Sequence, residues 1–136
     1  MNFIRRIKYF SFHIDEKRFD LMALQGGIQT FGEKYGMDQK HIYRLQICCE
    51  ELINILLERC YPSRENAELE LLVSHAESDG TTQISISCGG EPCNPFAQTE
   101  DGLGVTILKN MAARLDYRLE NGNNWLCSFR CPRFSP

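Results

Sequence analysis

The stretch DQKHIYRLQICCEELINILLERC, residues 38–60, decides the fold. Its apolar residues recur at intervals of three and four, as expected for one buried stripe along an α-helix. They are Ile42, Leu45, Ile47, Cys48, Leu52, Ile53, Leu56 and Leu57. Asp38 suits the N-cap, and Pro62 with Ser63 interrupts the pattern. The stretch therefore predicts a long helix from Gln39 to about Cys60, buried along one side.

Two elements are predicted before this helix. Residues Ile7 to Ile14 alternate in the manner of a strand, whereas Phe19 to Tyr35 show helical spacing. Gly26–Gly27 lies in the middle of the second element, so we expect that helix to bend or shorten there. Gly36 follows as a plausible C-terminal cap.

Four strands and one helix are predicted after residue 60, with a loop from Gly89 to Gly104. They are strands Leu69–His75 and Thr82–Cys88 around a turn at Asp79–Gly80, a helix from Val105 to about Leu115, and strands Tyr117–Glu120 and Trp125–Cys131 around a turn at Asn121–Asn124. Helices interspersed with hairpins predict one α+β domain over residues 1–136, a mixed or antiparallel sheet with helices on one face.

The bulk composition excludes several classes of protein. Hydrophobic residues make up 43% and charged residues 24%, a balance typical of folded domains, and the net charge of -3 gives no reason to expect a nucleic-acid partner. No apolar run is long enough to span a bilayer and no secretory signal is visible, so we expect a cytoplasmic protein without a membrane partner. The seven cysteines are then expected to be reduced thiols used as small buried residues.

The first candidate for chemistry is CCEELIN, residues 48–54. Glu50 and Asn54 are four residues apart and share one helical face. Asn54 stands among apolar neighbours, where a polar side chain needs a partner, and a metal-bound phosphate would supply one. Alternatively, Glu50, Glu51 and Asn54 mark the solvated edge of the helix.

The second candidate is Asp101-Gly102-Leu103-Gly104, immediately before a predicted helix. Glycines let backbone amides approach an anion, and a helix N-terminus carries roughly half a positive charge. A phosphate would suit this place. Alternatively, the glycines serve only the entry of the chain into the helix.

Taken together, the two segments resemble the anti-sigma-factor serine kinase branch of the GHKL (Bergerat-fold) ATPases, over nearly the whole chain. The resemblance implies a two-layer α/β sandwich that binds ATP and Mg²⁺. Glu50-Glu51-Leu52-Ile53-Asn54 looks like the family's Glu-x-x-x-Asn, in which Asn54 would ligate Mg²⁺ and Glu50 would be the general base. Backbone amides at Gly102 and Gly104 would cradle the phosphates.

The chain departs from the family at the adenine site. The family has Asp-x-Gly, whose aspartate accepts a hydrogen bond from the adenine amino group. Cys88-Gly89-Gly90 stands in that place, so Gly90 matches and Cys88 replaces the aspartate. Because a thiol is a weak acceptor, we expect ATP affinity to fall by roughly ten- to a hundredfold, or adenine selectivity to be lost.

Three hypotheses follow. The first is a regulatory ATP-binding protein of the anti-sigma kinase type, which pairs with a sigma factor or an antagonist protein and phosphorylates a serine on the antagonist. The second is a non-catalytic interaction module on the same fold with a weakened nucleotide site, which the cysteine favours. The third is an unrelated α+β domain. The resemblance implies that a homodimer is possible under either of the first two.

Overall fold

The computed structural model describes residues 7–15, 20–61, 67–77, 80–89, 93–97, 102–111, 115–120 and 123–131, with backbone only for 120 and 123–131. Within these ranges there are five strands and three helices. They are β1 (Ile7–Asp15), α1 (Leu21–Lys34), α2 (Gln39–Cys60), β2 (Glu68–Ala76), β3 (Thr81–Cys88), α3 (Gly102–Met111), β4 (Tyr117–Glu120) and β5 (Asn123–Cys131).

The five strands form one antiparallel sheet in the order β1-β2-β3-β5-β4. The register aligns Phe12 of β1 with Leu71 of β2 and Ile86 of β3, and these three side chains point to the same face. Strand alternation turns Ser85 and Ser87 to the other face, as the sequence predicts.

The core lies between this sheet and the helices. Helix α2 supplies its centre, because its buried residues occupy most of its circumference. They are His41, Ile42, Leu45, Cys48, Cys49, Leu52, Ile53, Ile55, Leu56 and Leu57. The strands contribute alternate residues such as Leu69, Val73 and Ile84 to the same cluster. The α+β architecture with helices packed on the sheet is therefore as predicted.

Local hydrogen bonds set the starts of α1 and α2. The Asp38 carboxylate accepts a hydrogen bond from the His41 amide at 2.8 Å, which confirms the predicted N-cap. Asp20 accepts in the same way from the Ala23 amide at 3.0 Å. Helix α1 consequently begins at Leu21, later than the predicted start at Phe19, which lies outside the described residues.

The glycine pair in α1 does not interrupt the helix, which runs unbroken from Leu21 to Lys34. A Cβ on Gly27 would lie 2.6 Å from Cε2 of Phe10, whereas Gly26 has no neighbour within 4 Å. The absent side chain at Gly27 lets α1 approach β1 closely. The expectation that the pair shortens the helix was wrong, because close packing against β1, and not chain flexibility, explains Gly27.

Helix α3 begins three residues earlier than predicted, at Gly102 instead of Val105, and its described part ends at Met111. Gly102 has φ +74°, a left-handed value that favours glycine, and the Thr106 hydroxyl donates to its carbonyl oxygen at 2.8 Å. The glycine-rich segment is therefore the first turn of the helix and not a loop before it. Strand β5 also begins earlier than predicted, at Asn123.

No helix in the described ranges is long and apolar enough to cross a membrane.

Candidate functional site

Glu50 projects from α2 towards α1, where it is half-buried. The Gln25 side-chain amide donates to Oε2 of Glu50 at 3.3 Å and to the carbonyl oxygen of Gln46 at 3.2 Å. Gln46 in turn donates to the carbonyl oxygen of Gln25 at 2.9 Å. Both atoms that the Gln25 side chain contacts on α2 are hydrogen-bond acceptors, so its amide nitrogen must face α2. This hydrogen bond orients the Glu50 carboxylate.

Asn54 lies one helical turn after Glu50 on the exposed ridge of α2. Its sequence neighbours Ile53 and Ile55 are buried, 0% and 5% exposed. The steps of about 100° per residue turn Asn54 outward between them. The expectation that Asn54 needs a partner because of apolar surroundings was therefore wrong, since its amide reaches solvent. That position leaves the amide oxygen accessible to an external ligand.

The first turn of α3 packs directly on α2. A Cβ on Gly104 would lie 2.8 Å from Oε2 of Glu51 and 3.2 Å from Cδ1 of Ile55, and one on Gly102 would lie 3.4 Å from Nη2 of Arg59. Glu51 lies three positions before Asn54 in the sequence, and Ile55 follows it directly. The glycine turn is therefore beside the helical turn that carries Asn54, and close helix packing is one physical reason for its glycines.

Charges of both signs meet the start of α3. The Glu51 carboxylate and the Arg59 guanidinium reach Gly104 and Gly102, respectively. The helix N-terminus and the guanidinium favour an anion, whereas the carboxylate opposes one unless a cation lies between them. Mg²⁺ bound to phosphate oxygens satisfies both requirements, because it commonly takes only one or two protein ligands. The residues at the phosphate side of the site thus fit Mg²⁺ and phosphate.

The described ranges contain no group of three or more His, Cys, Asp or Glu residues able to hold a metal ion by themselves. A cation at Asn54 would consequently depend on oxygens that a ligand brings.

The adenine side of the predicted site has a different character. Cys88 ends β3 and is 5% exposed. Burial raises the pKa of its thiol, although a hydrogen bond with Tyr61 lowers it in part. Burial and the same contact raise the pKa of the Tyr61 hydroxyl, which also donates to the carbonyl oxygen of Gly89. A neutral thiol and a tyrosine thus stand where a carboxylate would be needed, and Gly90 lies outside the described residues.

Cys60 and Cys93 form a disulfide, with their Cα atoms 5.7 Å apart and a sequence separation of 33. The expectation that all the cysteines are reduced thiols was wrong for this pair, whereas Cys48, Cys49 and Cys88 are buried and form no disulfide. The sequence holds one signal that could have found the pair. Cys60 ends the long helix and Cys93 follows β3, so packing of α2 on the sheet brings the two ends together.

Three consecutive residues, Arg59, Cys60 and Tyr61, form what we call the α2 clamp. Arg59 Nη1 donates to the carbonyl oxygen of Pro95 at 2.5 Å, Cys60 is bonded to Cys93, and Tyr61 contacts Gly89. The α2 clamp therefore holds the chain after β3 at several points. None of its three residues was predicted to have a role, because their partners lie about 30 or more positions away.

The geometry of this sheet and its helices is shared with a solved protein. The chain is similar to the crystal structure of the RsbU and RsbW domains of Rv1364c from Mycobacterium tuberculosis, with a TM-score of 0.59 and 14% sequence identity. The fold is a GHKL-like α/β sandwich. The similarity covers 93% of this chain but 35% of the solved Rv1364c chain, so this chain corresponds to about a third of it. No protein-family model and no curated protein matches the chain.

Proposed function

We propose that this domain is a regulatory partner-binding protein that holds ATP and Mg²⁺ between α2 and α3, in the manner of the anti-sigma-factor serine kinases. One observation carries the proposal. The glycine turn of α3 lies against Glu51 and Ile55, which belong to the helical turn of α2 that contains Asn54. Two segments about 50 residues apart, each suited to phosphate or metal, are thus neighbours in space.

Each predicted residue has a role in this proposal. Asn54 ligates Mg²⁺, and backbone amides at Gly102 and Gly104 meet the phosphates. Arg59, whose guanidinium is beside Gly102, adds positive charge there. Bound ATP supplies the phosphoryl group, and Glu50, oriented by Gln25, accepts the proton of the attacking serine hydroxyl.

A second candidate function is favoured by the adenine side. Cys88 is buried and neutral, and Tyr61 bonds to Gly89 beside it. No charge-assisted hydrogen bond to the adenine amino group is available from Cys88. These contacts favour a non-catalytic interaction module in which the fold is kept and nucleotide binding is weak.

Both candidates include a protein partner. The similar structure contains RsbU and RsbW domains of one protein, which supports a regulatory interaction for this chain. By resemblance, the partner is a sigma factor or an antagonist protein, and a homodimer is possible.

Sedimentation velocity over a range of protein concentrations tests the homodimer. A constant sedimentation coefficient corresponding to a monomer would exclude it.

Thermal melting with and without magnesium nucleotides tests ATP binding. A ligand at about a hundred times its Kd stabilises a protein by roughly 2.7 kcal/mol, so we expect a higher melting temperature at roughly millimolar Mg-ATP. Because Cys88 does not read the adenine amino group, we expect a similar shift with Mg-GTP. No shift with either nucleotide would reject ATP binding and leave the interaction module.

Variants assign the roles. Asn54→Ala should abolish the magnesium dependence of the shift, whereas Thr30→Ala, at an exposed position on α1, should not change it.

Cys88→Asp should restore a preference for ATP over GTP. If the protein transfers phosphate, Glu50→Ala should stop the transfer without abolishing binding; transfer that persists would reject Glu50 as the base.

A further inference from the structure

Residues 93–97, which we call the post-β3 segment, are bound to α2 on one side and to Tyr117 of β4 on the other. Cys93 is bonded to Cys60, and its backbone amide donates to the Tyr117 hydroxyl at 3.2 Å. Pro95 is buried, and its carbonyl oxygen accepts from Arg59. The disulfide thus joins this segment to α2 covalently, whereas Arg59 holds it to the same helix by a hydrogen bond.

The two cysteines of the disulfide are partly exposed, unlike the other cysteines whose side chains are described. Cys60 and Cys93 are both half-buried, whereas Cys48 and Cys49 are 0% exposed and Cys88 is 5% exposed. Thiol–disulfide exchange requires a thiolate to reach one sulfur of the disulfide. Among the cysteines with described side chains, this pair alone combines a disulfide with partial exposure to solvent.

We propose that Cys60–Cys93 is a redox modification site whose reaction partner is a dithiol reductant. One thiolate of the reductant attacks a sulfur of the disulfide, which forms a mixed disulfide and releases the other cysteine as a thiolate. The second thiol of the reductant then displaces the remaining cysteine. The protein gains two electrons and two protons, and the reductant leaves as a cyclic disulfide.

Reduction removes the covalent link and leaves the post-β3 segment held by weaker contacts. Opening of this segment is then limited by hydrogen bonds and by burial of Pro95, so it becomes more frequent. The segment follows Cys88 and Gly89, to which Tyr61 is hydrogen-bonded in the oxidised protein. Reduction therefore exposes the adenine side of the candidate site, and this last consequence rests on the proposed function.

Hydrogen–deuterium exchange of the oxidised and dithiothreitol-reduced protein tests the site. The amides of Cys93, Phe96 and Ala97 are hydrogen-bonded and report on the segment. We expect their exchange to be about tenfold faster after reduction, because local opening sets their protection. The amides of Gly36 and Met37, hydrogen-bonded in the turn before α2 and far from the disulfide, serve as an internal control because local opening sets their exchange, which should be unchanged. Peptide mapping without reductant should show Cys60 linked to Cys93.

Two variants separate reduction of this disulfide from any other effect of dithiothreitol on the protein. Cys93→Ser should exchange like the reduced protein and be insensitive to dithiothreitol, and Cys60→Ser gives the same test should the first variant fold poorly. Equal exchange in the two redox states of the unmodified protein, or a pair found unlinked after exposure to air, would overturn the site. Mg-ATP melting is then compared between states. If ATP binds in neither, the proposed function fails, while exchange still decides the redox site.

Discussion

His13 lies on the exposed face of the sheet, opposite Glu70 of the neighbouring strand. Its Nδ1 contacts a Glu70 oxygen, and its Nε2 is 3.6 Å from Oε1 of Glu68. The hydrogen bond to Glu70 is the main cause that raises the pKa of His13, and the charges of Glu70, Glu68 and Asp15 add to it. Protonated His13 therefore favours the folded state.

The sign of the pH dependence follows from this raised pKa. The contribution of His13 to stability is complete below its unfolded pKa of about 6.5 and is lost as pH rises through the folded pKa. We expect Glu70→Gln to bring the His13 pKa, measured by NMR titration, back towards its ordinary value. Glu68→Gln should have a smaller effect, and added salt should weaken both. An unchanged titration in Glu70→Gln would reject the contact.

A second polar contact lies in the core. His41 Nε2 and His75 Nδ1 approach the Thr82 hydroxyl oxygen at 2.8 and 2.9 Å. A hydroxyl can donate to one imidazole nitrogen and accept from the other, so it can satisfy both. The three residues are 1%, 6% and 0% exposed. Thr82 thereby makes burial of two polar side chains between α2 and the sheet tolerable.

At the scale of elements, the distance between α1 and β1 depends on Gly27. A methyl group there would meet the Phe10 ring at 2.6 and 2.7 Å, closer than side-chain contacts allow. Gly26 precedes it in the same helix and has open space around its Cα. A side chain would therefore clash with β1 at Gly27, whereas there is room for one at Gly26.

Alanine at these two positions should have opposite effects on stability. Gly26→Ala should stabilise the protein by about 0.5–1 kcal/mol, because alanine loses less backbone entropy in a helix. Gly27→Ala should destabilise it by about 1–3 kcal/mol through overpacking against Phe10. Urea denaturation measures both free energies of unfolding. Equal effects of the two substitutions would show that α1 does not approach β1 as closely as described.

At the scale of the whole molecule, the disulfide joins the end of the central helix to the chain beyond β3. The 33-residue separation closes a loop that includes β2 and β3. In the chain-entropy model, closing a loop of this length restricts the unfolded chain and stabilises the native state by about 4 kcal/mol. The contribution acts on the whole fold, in addition to its local effect on the post-β3 segment.

We therefore expect the variant with both Cys60→Ser and Cys93→Ser to unfold at a lower urea concentration, with a free energy of unfolding lower by about 2–4 kcal/mol. Dithiothreitol should shift the unmodified protein in the same direction and leave the double variant unchanged, which controls for the remaining cysteines. Coincident unfolding curves for the oxidised protein and the double variant would show that the bond does not stabilise the fold.

Local patterns in the sequence were sufficient to predict most elements of this protein. The apolar spacing from Ile42 to Leu57 predicted α2, and strand alternation predicted β2 and β3, because these periods are properties of the local chain. The α+β sandwich followed from the order of the elements. The candidate site came from the resemblance. In the structure the glycine turn of α3 packs on the helical turn of α2 that contains Asn54, while the roles of these residues stay predictions.

Only the tertiary structure decided which residues meet across long separations. The exposure of Asn54, the fit of Gly27 against Phe10 and the Cys60–Cys93 bond all depend on how α2, α1 and the sheet pack. A local period states which side of an element is apolar, but it does not state which element covers that side or how closely. The distances between packed elements depend on side chains from remote parts of the chain, so a local stretch of sequence does not determine them.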